Sequence, residues 1–304
     1  MTRSGRVAQM PMREGVSASV VAVPAGHWPN LLDFLAQRMP GISRSEWAER
    51  LRQGLVLQES GQCAQADQPC LAGQRFFYYR NVADEPQLPR QAAVVFEDDH
   101  LLVADKPHFM PVTPSGPYVQ QCLLVQLKRL TGYADLVPLH RIDRETAGLV
   151  LFGKRLHERD AYHALFRDHT IHKTYHAVAQ QRPELALPRV HTSRLAEDPV
   201  YFFKMREVPG EPNSETRIAL LRTQGDRALY QLEPVSGKRH QLRVHMMAMG
   251  IPIEGDQFYP TVLRGPNEPE NFQQPLQLLA HSVQFTDPLT GQDRVFESRQ
   301  QLLL

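Results

Sequence analysis

The chain has 304 residues, 42% hydrophobic and 22% charged, an ordinary balance for a globule with room for a sizeable core. Its formal net charge of +1 gives no global basicity, so any contact with phosphates has to come from local clusters of cations. Three cysteines, Cys63, Cys70 and Cys122, lack metal-ligand spacing and are odd in number, which argues for a reducing, cytoplasmic setting and against a disulfide framework or a zinc site. No apolar run suits a signal peptide or approaches the roughly 18 residues of a membrane span, so no membrane association is expected.

Residues 1–20 are expected to be a mobile tail and 21–85 a small α+β module. Leu31, Leu32, Phe34, Leu35 and Met39 recur at helical spacing until Pro40 and Gly41 stop the helix. A second helix follows at once, with Ser43 and Glu46 in capping-box relation, Trp47 and Leu51 four apart, and Gly54 at its end. Residues 55–57 and 76–80 read as strands. The polar, two-proline run D-E-P-Q-L-P-R that begins at Asp84 suits a linker, placed at 86–92. The main domain then occupies 93–304.

That domain opens with strands at 94–96 and 101–104 joined through Glu97, Asp98 and Asp99, and a helix striped by Leu123, Leu127 and Leu130 and closed by Gly132. The run P-L-H-R-I-D-R-E-T-A-G-L-V-L-F-G-K at 138–154 sets dense charge against a buried strand at 149–152. His140, Arg141, Asp143, Arg144 and Glu145 lie in the loop that feeds this strand. A carboxylate held between Arg141 and Arg144 stays ionised, which suits Asp143 to attack or to take a proton. Glu145 is expected to point along the loop toward a different face. The competing reading of this stretch is an ion-paired turn.

Ala161, Leu165 and Phe166 face inward on a short helix, and 171–179 alternates as a strand with Lys173, Tyr175 and Ala177 on one face. A strand at 229–232 runs through Ser236 and Gly237 into a helix at 240–249 that Gly250 stops. Arg239 and Arg243, four apart, are expected to share a helical face near its N-terminus, where two cations can serve one anion. Strands at 279–285 and 295–296 finish the sheet. The pattern predicts an α+β fold: a mixed, largely antiparallel sheet core with flanking helices and loops, plus the small N-terminal α+β module. Asp143, Tyr175 and Arg243 combine carboxylate, phenol and guanidinium, a set able to carry catalysis. His157, His163, His169, His172 and His176 crowd together, but only a ligand set on one face with acidic or thiolate partners would support a metal, and none is expected.

H-R-I-D-R-E-T-A-G at 140–148 resembles the H-R-L-D-x-x-T-S-G signature of the RluA family of RNA pseudouridine synthases. S-G-K-R-H-Q-L-R-V-H at 236–245 with P-I-E-G-D-Q-F-Y at 252–259, K-T-Y-H-A at 173–177, L-L-V-A-D-K-P at 101–107 and L-L-A-H-S-V-Q-F-T-D-P-L-T-G at 278–291 are similar to its other motifs, in family order. The resemblance covers roughly 92–298, with Ala147 in place of a serine and aliphatic exchanges at Ile142 and Leu242. It implies the pseudouridine synthase fold and conversion of uridine to its C-glycoside, with no metal and no organic cofactor.

It further implies that Asp143 is essential, attacking the anomeric carbon or removing the neighbouring ribose proton. Arg243 would lie within ion-pair reach of it, Tyr175 would stack on the uracil and help its late deprotonation, and Leu242 would line the pocket. A stacked base is out of reach, so the nucleotide must flip out, and Arg141 is placed to fill the vacated space. His140, Arg239 and Lys173 join Arg141 and Leu242 as substrate-binding candidates. The expected partner is structured RNA, ribosomal favoured over transfer RNA, bound by a monomer. Residues 21–85 resemble a small S-four-like RNA-binding domain, although Glu46 and Glu49 alternate with Arg44, Arg50 and Arg52 and dilute its basic face. Two other readings are a catalytically silent RNA-binding protein on the same scaffold, which the intact Asp143, Tyr175 and Arg243 oppose, and a glycosidic-bond hydrolase using Asp143 with Glu145.

Overall fold

The computed structural model describes residues 10–80, 85–265, 268 and 270–304. The chain divides into two compact units, Met1–Glu85 with Leu127–Ala134, and Pro86–Gln126 with Asp135–Leu304. In the first unit β1 (Ser19–Ala22), α1 (Leu31–Arg38), α2 (Arg44–Arg52), β2 (Val56–Gln58) and β3 (Arg75–Tyr78) follow in order. The strands form an antiparallel sheet in the order β1-β3-β2, and the fully buried Leu31, Phe34, Leu35, Trp47 and Val56 build the core with Phe76. Asn30 caps α1 by accepting from the Asp33 N–H at 2.9 Å, and Ser43 caps α2 by accepting from the Glu46 N–H at 3.2 Å. Only that half of the capping box forms, because the Glu46 carboxylate turns to Arg50.

β1 begins inside the stretch expected as a tail, registered with Val20 opposite Phe77. Residues 1–9 of that tail, and Asp84 at the start of the linker run, lie outside the described residues. The stretch 86–92 holds no helix or strand. Cations of α2 are matched locally, Arg44 by Asp33, Arg50 by Glu46 and Arg52 by Glu49.

The second unit runs through β4 (Ala93–Glu97), β5 (Leu101–Lys106), the start of α3 (Leu123–Thr131, whose residues from Leu127 on group with the first unit), β6 (Val137–Pro138), β7 (Ala147–Gly153), α4 (Arg159–Arg167) and β8 (His172–Gln180). It continues with β9 (Arg189–Glu197), β10 (Met205–Val208), β11 (Ser214–Gln224), β12 (Arg227–Pro234), α5 (Gln241–Ala248), β13 (Leu278–Thr286) and β14 (Asp293–Glu297). Of α3, Leu123 and Leu127 are buried but Leu130 is exposed, so the expected stripe is shorter than its leucines suggest.

The strands form an 11-stranded sheet in the order β10-β9-β11-β12-β8-β13-β7-β5-β4, with β14 added to β13 and β6 to β7. Among the described residues every pairing is antiparallel except β13 with β7. The fold is therefore α+β with a mixed, largely antiparallel sheet.

β5 and β7 are buried along their whole length, including Asp105 and Lys106 at the end of β5, and their apolar runs fit a sheet covered on both faces. In the parallel pair Ala280 lies opposite Gly148, whose φ is +112°. A β-carbon at Gly148 would stand 2.3 Å from the Ala280 carbonyl oxygen, so only glycine lets β7 and β13 close up where the charged loop enters the sheet. One core joins Leu242 and Met246 of α5 to Ala177, Leu232 and Leu278, and another joins Tyr162 and Leu165 of α4 to Leu101, Leu149, Leu151 and Val283. β8 departs from the expected alternation, with Ala177, Val178 and Ala179 all buried. Among the described residues no helix is long and apolar enough to cross a membrane.

Candidate active site

The loop between β6 and β7, the strand β8 and the start of α5 converge on a cleft of about 880 Å³. All eight sequence-selected residues border it: Asp143, Tyr175 and Arg243 together with His140, Arg141, Lys173, Arg239 and Leu242. Of the three segments, the first two meet because β7 and β8 both pair with β13, and α5 joins them by packing Leu242 and Met246 against Ala177, Leu232 and Leu278.

Arg243 is the buried centre of the charge network. Its Nε and Nη2 donate to the two carboxylate oxygens of Asp256 at 2.7 and 2.6 Å, a bidentate fork. The remaining Nη1 reaches Asp143 Oδ2 at 3.4 Å and Glu145 Oε2 at 3.6 Å. Asp256 is itself fixed by the backbone N–H groups of Phe258 and Tyr259 at 2.9 and 3.2 Å. The turn that delivers it needs Gly255, with φ +74° and a hypothetical β-carbon 2.3 Å from the Pro275 oxygen. The Phe258 and Tyr259 rings cover the guanidinium, 5.0 and 5.4 Å from its carbon. Burial works to lower the pKa of Arg243, but Asp256, Glu145 and Asp143 outweigh it and raise it above the ordinary value.

Asp143 keeps 23% of its side chain exposed, and among the described residues its Oδ1 has no hydrogen-bond partner. Tyr175 shares the cleft; burial first, and the negative charge of Asp143 second, push its phenol pKa well up, so the ring enters the site neutral. Leu242 is 8% exposed and closes the floor where α5 meets the core.

Four expectations need correcting. Asp143 is not clamped by its neighbours in sequence: Arg144 pairs with Glu145 and Glu270, while Arg141 is exposed and, among the described residues, free of any carboxylate. Glu145 does not point elsewhere but joins the same guanidinium as Asp143. Arg239 does not share a face with Arg243, because His240 at φ +54° breaks the helical path and α5 starts only at Gln241. Arg239 instead donates to the carbonyls of Phe202 and Lys204 at 3.0 and 3.2 Å. His140 borders the cleft, but its ring stacks on Phe166 at 5.0 Å and its Nε2 accepts the Leu151 N–H at 3.1 Å. Burial, helped by Lys173, lowers its pKa to about 3, so it shapes the loop as a neutral ring.

Sequence reasoning missed Lys106, His240 and Asp256. Lys106 is fully buried and its Nζ donates to the carbonyls of Pro107 and Arg144 at 3.0 and 3.1 Å, pinning the loop beside Asp143. Burial draws its pKa down to about 7 against the pull of Glu145 and Asp143. His240 stacks on Phe258 and sits 3.9 Å from Asp143 Oδ2, with its Nδ1 3.0 Å from the Tyr259 hydroxyl. The available signal was Asp256 itself, a carboxylate in the motif P-I-E-G-D-Q-F-Y that could be buried only against a cation.

Burial pushes the Glu145 carboxyl up, but Arg243 and Arg144 overcome it and hold the pKa down at about 2, against 4.5 unperturbed. The folded state therefore keeps this charge to lower pH than the unfolded chain. Its stabilisation is fully present above about pH 4.5 and is lost as pH falls toward 2. Glu145→Gln is expected to lower unfolding free energy at pH 7 by about 3 kcal/mol, shrinking to less than half of that at about pH 3. Urea titrations of both proteins at the two pH values measure it; a gap unchanged with pH would refute the pairing.

A second polar group, His191, Glu207 and His245, places one ligand atom from each within 4.8 Å of the others. Hydrogen bonds account for it: His245 Nδ1 meets Thr216 Oγ1 at 2.9 Å, its Nε2 meets the Ser193 and Ser214 hydroxyls at 3.1 and 3.0 Å, and His191 Nε2 pairs with Glu207 at 2.7 Å. Of the crowded histidines, His176 stacks on His281 at 3.9 Å, and burial lowers its pKa to about 4.

Residues 100–248 match the family model described as RNA pseudouridylate synthase. The dual-specificity RNA pseudouridine synthase RluA of Vibrio cholerae is 32% identical over 202 residues, 64% of this chain and 77% of that protein. The ribosomal large subunit pseudouridine synthase C of Vibrio cholerae is 35% identical over 167 residues, 55% of this chain and 52% of that protein. Among solved structures, human RNA pseudouridylate synthase domain containing 1 shares the fold with a TM-score of 0.57 at 20% identity, over 71% of this chain and 86% of that one. The chain belongs to the RluA family of RNA pseudouridine synthases and is an isomerase acting on RNA. Family membership sets aside the glycosidic-hydrolase reading.

Proposed function

We propose that the enzyme isomerises one or a few uridines in structured RNA, ribosomal RNA in preference to transfer RNA, and that Asp143 performs the first chemical step. The observation that carries this reading is the Asp143 carboxylate, held at one oxygen 3.4 Å from buried Arg243 and left without a protein partner at the other. Either that oxygen attacks the anomeric carbon as uracil leaves through its ring nitrogen, or it takes the neighbouring ribose proton. Uracil then turns and bonds to the ribose through carbon 5. On the first route this displaces the Asp143 carboxylate; on the second, uracil adds across the ribose double bond as Asp143 returns the proton. Carbon 5 finally gives up its own proton.

Tyr175 stacks on the turning ring and assists the last proton transfer, and Leu242 supplies apolar wall. Arg141, exposed and without a carboxylate partner among the described residues, enters the duplex space left by the flipped nucleotide. Lys173, lowered by burial but without a carboxylate partner among the described residues, and Arg239 at the rim meet the backbone phosphates. The ribosomal preference draws on the name of the Vibrio relative matched at 35% identity. The enzyme works as a monomer in the cytoplasm. Residues 21–85 add an RNA-capturing module of S-four-like type that takes no part in chemistry, with its contribution limited by the local pairing of the α2 arginines.

Pseudouridine mapping across total RNA from cells with and without the gene tests the assignment. Loss of discrete ribosomal sites is the expected result. Loss confined to transfer RNA would reverse the preference, and unchanged maps would remove the function.

A further inference from the structure

The turn between β9 and β10 carries D-P-V-Y-F-F-K at 198–204, and it leaves Val200, Tyr201 and Phe202 exposed at 76%, 41% and 74%. The exposure is not that of a slack loop. Asp198 Oδ1 accepts the backbone N–H groups of Val200 and Tyr201 at 2.8 and 3.0 Å and shapes the turn. Holding three large apolar side chains in water side by side is unfavourable, and such patches mark binding surfaces.

Two physical links make the patch continuous with the cleft. Arg239, which borders the cleft, ties its Nη2 to the Phe202 and Lys204 carbonyls. Beneath it a chain of rings runs from Phe202 to Phe203 at 5.4 Å and from Phe203 to Phe258 at 5.0 Å, and Phe258 lies over the Arg243 guanidinium. Cations accompany the rings, with Lys204 Nζ 5.6 Å from the Tyr201 ring and Lys238 on the cleft wall. Exposed aromatic faces beside fixed positive charge are what unpaired nucleotides require, since a base in a duplex has no free face to stack.

We propose that Tyr201 and Phe202 form a stacking platform at the rim of the cleft for unpaired nucleotides next to the target uridine. This rests on the RNA-modifying reading above and narrows it to single-stranded loops, bulges or junctions.

The test uses the full-length protein, a fluorescent oligouridylate, a fully paired RNA duplex, and tritium release from total cellular RNA labelled at carbon 5 of uridine. The double variant Tyr201→Ala with Phe202→Ala should weaken oligouridylate binding about tenfold, equivalent to about 1.4 kcal/mol. It should raise KM by a similar factor while kcat and duplex binding hold. The ring-keeping pair Tyr201→Phe with Phe202→Tyr should restore both. Unchanged binding and KM in the double alanine variant, with wild type active, would overturn the platform alone. A fall in kcat at unchanged KM, or a lost oligomer with unchanged RNA binding, would overturn it in favour of a catalytic or self-association role. Wild type that neither binds RNA nor releases tritium would bring down the RNA-modifying reading itself.

Discussion

Asp143→Asn is expected to abolish tritium release from uridine labelled at carbon 5 while RNA affinity stays the same or rises. The substitution keeps the side chain's shape and removes its charge and its ability to take a proton. Folding should survive, because Arg243 keeps Asp256 and Glu145 as partners when Asp143 is neutral. The stability cost should be about 1 kcal/mol, that of one weakened hydrogen bond. Glu145 cannot deputise, since it is 7% exposed as a residue and tied to both Arg144 and Arg243. Removing a carboxylate from a cleft that receives phosphates eases their approach, so a filter-binding titration should show no loss. Residual turnover within about tenfold of wild type, some 1.4 kcal/mol of barrier, would dismiss Asp143 as the reacting group.

Asp256→Asn should be the most damaging change outside the reacting atoms. It strips Arg243 of its counter-charge and of one of its two shortest bonds, and presents amide hydrogens to a cation that is fully buried. Breaking a buried pair from one side costs about 3 kcal/mol or more, which chemical denaturation will read directly. The released guanidinium is free to move toward Asp143 and Glu145. A displacement of about 1 Å at a reacting group can cost about a hundredfold in rate. Single-turnover kinetics at saturating RNA should therefore show slowed chemistry with KM little changed. A variant destabilised as expected but chemically at wild-type speed would reduce Asp256 to a purely structural anchor.

The parts of this molecule legible in its sequence are those written in apolar runs and caps. β5 and β7 declare themselves because both faces of each are covered, and α1 because its apolar positions return at helical spacing. β9, β10 and β11 escaped notice: β9 is R-V-H-T-S-R-L-A-E with only Leu195 buried, and β11 is largely exposed beyond Ile218. Strands at a sheet's outer reach carry no signal that single-sequence patterning can separate from loop. All eight site candidates border one cleft, yet spacing alone did not give the partners of the charges. Neighbours in sequence suggested that Arg141 and Arg144 serve Asp143; Arg243, 100 positions away, was expected only through the family resemblance, and it does lie 3.4 Å from that carboxylate. Arg239 misled because helical spacing was assumed across His240, whose backbone turns left-handed at φ +54° and so delays the helix to Gln241.

The place of β13 in the sheet has a consequence for how the protein is made. β13 lies between β8 and β7, yet it is Leu278–Thr286 of a 304-residue chain. Until that segment pairs, the two strands that carry Tyr175 and follow Asp143 lack the strand that joins them, and each keeps an open edge. Such edges invite pairing with other chains, and a sheet closed by distant partners forms late. A chain in which β13 has not yet paired therefore lacks an assembled cleft and offers two adhesive strand edges instead.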